Sequence, residues 1–154
     1  MMLARFQKEM TSLNLEERAR KLGLSVREAV TIASLIEREA KLDSERRIIS
    51  GVIHNRLRRN MPLQVDATVI YAMGRQPNRG VVTYQDLTVD SPYNTYLHTG
   101  LPPGPIASPG RASLLAAVSP ASTPYLYYVA RPDGSHAFAR TLDEHNRYKK
   151  QYQR

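Results

Sequence analysis

Residues 32–40 read Ile32-Ala33-Ser34-Leu35-Ile36-Glu37-Arg38-Glu39-Ala40, two carboxylates set into an apolar helix. Ala29, Ile32, Ala33, Ile36 and Ala40 recur at three- and four-residue spacing, the period of a helix face turned toward a core. At about 100° per residue, Glu39 falls about 60° from Ile36, close to Ile32 and Leu35, while Glu37 falls about 100° to the other side. A carboxylate at the margin of a buried face costs free energy unless it is paired, protonated or used. Two readings follow. One is a helix-surface acid bridged to Arg38, Lys41 or Arg46. The other is a general acid whose pKa is raised by burial.

Working outward, Ser25 caps this helix, predicted over 26–41, and Gly23 ends an earlier one. Residues 1–22 are charged and helix-prone, with Leu3, Phe6, Met10 and Leu13 as a modest apolar stripe. Residues 1–24 therefore read as a helical lead-in and 25–154 as one domain. Asp43-Ser44-Glu45 restarts the chain with an acidic first turn, and a second helix runs to about residue 59 with Ile48, Ile49, Val52, Ile53 and Leu57 as its core face. A short extended piece, Leu63-Gln64-Val65-Asp66, leads into a short helix over 67–73. Residues 74–92 are turn-rich, and 111–118 form a further helix. The stretches 125–130 and 135–139 flank Arg131-Pro132-Asp133-Gly134, a hairpin signal. A closing helix begins near Leu142 and carries Tyr148 and Tyr152. The expected fold is α+β: helices around Glu39 with a small antiparallel sheet that includes the 125–139 hairpin.

Composition narrows the chemistry. The 154 residues suffice for one cored domain, and no run approaches the roughly 18 apolar residues of a membrane span. The absence of cysteine excludes disulfides, thiolate metal sites and cysteine nucleophiles. A formal charge of +8 implies anionic company: nucleic acid, acidic headgroups or anionic wall polymers. The densest basic stretch is Arg46, Arg47, Arg56, Arg58 and Arg59, and on composition alone nucleic acid leads. Glycines 100, 104 and 110 alternate with prolines, which lack the N–H groups of a phosphate cradle. His54, His98, His136 and His145 show no paired metal spacing, so no metal or other cofactor is expected. No serine sits in a nucleophile elbow. Among the fourteen acids, Glu37, Glu39, Asp43 and Asp66 stand beside apolar structure.

Eight of the ten prolines lie between Pro92 and Pro132, which makes that half a set of stiff loops. Within it, Tyr93, Asn94, Tyr96 and His98 offer aromatic faces with polar edges, the surface that sugars take, on a segment held in shape without ligand. The alternative is a structural connection with its tyrosines packed inward. A buried-edge glutamate, a rigid polar-aromatic loop and a basic surface together point to an anionic glycan.

Several segments in order resemble the catalytic domain of the YceG-like endolytic murein transglycosylases: Ala33–Ala40, Asn55-Arg56-Leu57, Leu63–Tyr71, Tyr93-Asn94-Thr95-Tyr96, Thr99–Ile106, Pro109-Gly110 and Thr123–Tyr127. The resemblance covers roughly residues 25–150. It implies that the second acid of the Glu-x-Glu pair, Glu39, is catalytic, in agreement with its place nearer the core stripe. It implies non-hydrolytic cleavage of the MurNAc-β-1,4-GlcNAc bond of peptidoglycan strands, leaving 1,6-anhydroMurNAc ends. Gln64, Asp66, Asn94 and Tyr96 are then candidates for sugar contacts or for orienting Glu39. Where the family often has proline after the aspartate, this chain has Ala67. Relatives carry an N-terminal membrane helix and a small LysM-like module. This chain shows neither, so it reads as a catalytic fragment of an enzyme acting on the outer face of the bacterial cytoplasmic membrane. Wall-synthesis proteins are possible partners, the membrane is reached only through the missing anchor, and nucleic acid is not expected. The alternatives are a basic helical nucleic-acid-binding module built on residues 26–59 and a non-catalytic wall-binding domain.

Overall fold

The computed structural model describes residue 8 and residues 14–152. The stripe Leu3, Phe6, Met10 and Leu13 lies outside them. The described chain is α+β: six helices and one two-stranded antiparallel sheet. Helix α1 spans Leu15–Lys21 and α2 spans Val26–Glu39. Helix α3 spans Arg46–Arg58, α4 spans Asp66–Met73 and α5 spans Arg111–Ala117. The hairpin strands are β1, Tyr127–Ala130, and β2, His136–Ala139, and α6, Leu142–Tyr152, closes the chain.

Local chemistry sets the boundaries. Ser25 and Glu28 form a reciprocal capping box at the start of α2: the Glu28 N–H donates to Ser25 Oγ and the Ser25 N–H to Glu28 Oε1. Gly23 takes φ 75° after α1, and Gly74 takes φ 69° after α4, where a side chain would be strained. Asp43–Glu45 is a single 3-10 turn that feeds α3. Tyr127 pairs with Ala139 and Ala130 with His136, and the Arg131 N–H donates to the Ser135 carbonyl across the turn. The hairpin is therefore two residues shorter on its first strand than the 125–130 expected.

Helix α2 is the centre of the molecule. Ala29, Ile32, Ala33, Leu35 and Ile36 are all 0% exposed and join Leu15 and Ala19 of α1, Ile49 and Ile53 of α3, and Leu114 and Ala117 of α5 in one core. Helix α2 packs most extensively against α5, and α3 touches both. Burying a large aliphatic side chain stabilises by roughly 1.5–3 kcal/mol, so this cluster dominates the fold. Gly51 allows α3 to pass close to the following segment, because a Cβ there would stand 2.6 Å from the Ala121 carbonyl oxygen.

The proline-rich segment is a strap along α2. Arg27 Nε donates to the Pro103 carbonyl, the Ile106 N–H to Ser34 Oγ, and the Gly110 N–H to Glu37 Oε1. Three positions climbing one helix thus hold three positions of an extended chain. Prolines cannot form a ladder of their own N–H groups, and the α2 side chains take over that task. The rigidity expected of a sugar-binding wall here serves to hold the helix that carries both acids.

Candidate active site

A cleft of about 430 Å³ opens between the end of α2, the segment 63–66, Tyr96 and the hairpin. Glu39 lies in its wall, and Val52, Ile53, Leu63 and Leu126 supply apolar floor. The two acids of the Glu-x-Glu pair go to opposite places. Glu37 Oε1 accepts the Gly110 N–H at 2.8 Å and the Ser113 hydroxyl at 3.0 Å, where its charge faces the start of α5. Arg46 donates in turn to Ser113 Oγ at 2.8 Å. Glu37 Oε1 thereby ties the strap to the start of α5.

Glu39 Oε1 accepts a hydrogen bond from the Tyr128 hydroxyl at 2.8 Å. Burial raises the Glu39 pKa above its ordinary 4.5, and the nearby Asp66 adds to the rise. The Tyr128 bond, the charge of Lys41 and, when its ring is protonated, that of His136 oppose it. Such a carboxyl holds its proton at higher pH than a solvated one and can deliver it. Tyr128, pressed into the same apolar surroundings and facing a carboxylate, has its own pKa pushed well up and stays a donor. It stabilises the anion that remains once the proton has left.

Asp66 opens α4 on the opposite lip and accepts a hydrogen bond from the Tyr96 hydroxyl. Both line the cleft, as does Gln64. Gln64 sits at φ 54°, a left-handed conformation that a side chain adopts at some cost. Such strain is characteristic of functional sites, and Gln64 is exposed at the cleft. The segment is pinned beneath by Thr95, whose Oγ1 accepts the Val65 N–H at 2.9 Å and pairs with Thr68 Oγ1 at 2.9 Å.

Asn94 stands elsewhere. It is 0% exposed, its amide donates to the Leu87 and Val89 carbonyls at 2.9 Å each, and its Oδ1 accepts the Tyr96 N–H at 2.9 Å. Every polar atom of the side chain is occupied, so it shapes the loop that presents Tyr96 rather than meeting a ligand. Tyr93 packs against Tyr71 at 4.8 Å between ring centroids, and of the Tyr93–Gly110 stretch Tyr96 is the residue that lines the cleft. Asn94→Ala should therefore cost about 1–3 kcal/mol of stability through orphaned carbonyls, whereas Tyr96→Phe should leave the melting temperature nearly unchanged and weaken glycan binding. Thermal melts of both variants beside a glycan-binding titration separate the two roles.

Sequence reasoning missed the hairpin's share. Tyr127, Tyr128 and His136 line the cleft together with His145 and Lys149 of α6. The strand signal was visible, but the neighbour it would meet, 89 residues away in the case of Tyr128 and Glu39, was not. In the basic stretch Arg56 is turned inward and Arg46 is half-buried, whereas Arg47, Arg58 and Arg59 are exposed. Arg56 is 8% exposed; its Nε donates to the Leu126 carbonyl at 2.7 Å and its Nη1 to the Pro62 carbonyl at 2.6 Å, with the Tyr127 ring 4.9 Å away. Arg46 is bonded to Asp43 and Ser113, and Arg47 Nε to the Ser119 carbonyl. Ile49, Val52 and Ile53 are buried, so the apolar face of α3 serves the core rather than a groove.

Apolar surroundings raise the pKa of an acid that stands in an open cleft lined by phenols and an amide, the arrangement that general-acid chemistry requires. The chain belongs to the YceG-like family, whose model matches residues 1–151. It is 50% identical over 133 residues to an endolytic murein transglycosylase of Bacillus subtilis, covering 86% of this chain and 36% of that protein. It is 36% identical over 129 residues to one of Streptococcus pneumoniae, covering 81% and 23%. A crystal structure of a yceG-like protein from Listeria monocytogenes superposes with a TM-score of 0.79 at 42% identity, covering 96% of this chain and 45% of that one. The chain thus spans about a third or less of the length of these curated relatives. No helix among the described residues is long and apolar enough to cross a membrane.

Proposed function

We propose that this chain is the catalytic portion of an endolytic murein transglycosylase, with residues 25–154 as the catalytic domain and 1–24 as its helical lead-in. The observation that carries the reading is the desolvated Glu39 carboxyl in the wall of an open cleft. Its substrate is the peptidoglycan glycan strand, met on the outer face of the cytoplasmic membrane. Glu39 protonates the oxygen leaving C1 of MurNAc, and the C6 hydroxyl of the same sugar forms the new bond to C1. Glu39 then recovers a proton from that hydroxyl. A hydrolase generally needs a second carboxylate to attack or to activate water. Here the nucleophile is already attached to the ring, so proximity replaces it. Gln64, Asp66 and Tyr96 contact the sugars, and Asn94 acts through the position of Tyr96. No cofactor takes part in this scheme.

Digestion of purified peptidoglycan in ¹⁸O-labelled water tests it. Every new MurNAc end should be 1,6-anhydro and carry no solvent oxygen at C1. Substantial ¹⁸O at C1 would mean that a second carboxylate, Asp66 or Glu37, activates water, and the lytic route would have to be abandoned. Glu37, bonded to Gly110 and Ser113, is the poorer candidate of the two.

A further inference from the structure

Glu45 and His136 form a second acid–imidazole arrangement beside the first. Glu45 takes both polar groups of one residue 91 positions away: the His136 N–H donates to Oε2 at 3.0 Å, and Nδ1 lies 2.9 Å from Oε1. A carboxylate can only accept, so the Nδ1 proton points at Glu45, and in the neutral ring the other nitrogen carries the lone pair. The ring is 7% exposed and lines the cleft, yet Nε2 makes no hydrogen bond among the described residues. The Tyr128 ring stands edge-on to the imidazole, with centroids 5.3 Å apart, and its hydroxyl holds Glu39. One phenol therefore touches both the acid and the imidazole.

We propose that His136, oriented by Glu45, is a further catalytic residue whose Nε2 accepts a hydrogen bond from the attacking sugar hydroxyl and so aims its oxygen at C1. This rests on the transglycosylase reading and adds to it a residue for the nucleophile, where Glu39 serves the leaving group. Drawing the hydroxyl proton toward nitrogen leaves more electron density on oxygen, and the fixed angle confines it near the line of attack. As the oxygen bonds to C1 its proton passes to Nε2, and the imidazolium then gives a proton back to the Glu39 carboxylate through solvent, so both groups end as they began.

Two measurements test it. Asparagine places its amide nitrogen where histidine has Nδ1 but has no atom at Nε2. His136→Asn should keep the bond to Glu45 and a near-normal melting temperature, yet lower kcat by at least ~10-fold with KM little changed. An equally active variant overturns the proposal. Independently of folding effects, the ¹⁵N resonance of His136 Nε2 in the Glu39→Gln protein should shift on saturation with purified, uncleaved murein glycan oligomers. Shifts of cleft amides without a shift at Nε2 would remove His136 and leave the enzyme reading intact. No shift anywhere would overturn the enzyme reading, and this inference with it.

Discussion

Glu39→Gln should lower turnover on peptidoglycan by at least ~10²-fold while raising the melting temperature at neutral pH. Glutamine still accepts the Tyr128 hydroxyl bond but has no proton to give. The stability gain follows from linkage. A carboxyl whose folded-state pKa lies above its unfolded value binds its proton more tightly in the native chain. Its contribution is fully present below the unfolded value and is lost as pH rises through the folded one. At neutral pH, above the unfolded value, the wild type must either take up a proton on folding or bear a charge that its site resists, and the neutral amide does neither. Activity should likewise fall as pH rises through the raised pKa, since only the protonated acid can donate. Glu37→Gln should behave in the opposite way, with near-normal turnover and a loss of about 0.5–2 kcal/mol as the start of α5 loses its anion. Peptidoglycan turnover and thermal melts of the two variants, each across pH, check the pair. If the two variants exchanged phenotypes, the assignment of roles would be reversed.

Arg56→Ala should be the most destabilising substitution near the site, at about 3 kcal/mol or more by denaturant titration. Arg56 is a buried cation with no carboxylate ion-pair partner among the described residues, and burial pulls its pKa below the ordinary arginine value. Its worth lies in geometry. The guanidinium joins the Leu126 carbonyl ahead of β1 to the Pro62 carbonyl ahead of Gln64, so one side chain ties two walls of the cleft to α3. Alanine would leave two carbonyls unpaired and a void beneath Tyr127. Lysine should restore little of the loss, because a point charge cannot span both acceptors with fixed angles. Activity should fall with stability in both variants, unlike Glu39→Gln, where the two part.

The helices were legible because their signals are local. The Ser25–Glu28 box, Gly74 after α4 and the Asp133-Gly134 turn each act within a few residues, and the boundaries fell within one or two positions of expectation. The choice of Glu39 over Glu37 came from the family resemblance, with the helix angle in agreement, and the two acids do lie on different sides of α2. What could not be read was which distant segments meet. Asn55 donates to the Thr123 and Tyr125 carbonyls, Thr95 braces Val65 and Thr68, and Ser34 receives Ile106. Each is a bond between two stretches that looked independent along the chain. Asn94 shows the same limit from the other side. Its polarity suggested a ligand, and only the position of the Leu87 and Val89 carbonyls reveals that its valences are already used.

The opposed duties of Glu37 and Glu39 make the last turn of α2 a counting device. Inserting one residue between them would leave Glu37 on Gly110 and Ser113 but carry the second carboxylate about 100° around the axis and about 1.5 Å along it. Deleting Arg38 would turn it as far the other way. In either case the strap and α5 would still dock, while the cleft would face a different side chain where its acid had been. Substitutions in this turn can be graded in effect, but changes of length cannot, so a lineage that keeps the activity must preserve the interval between these two glutamates even where it exchanges the residues around them.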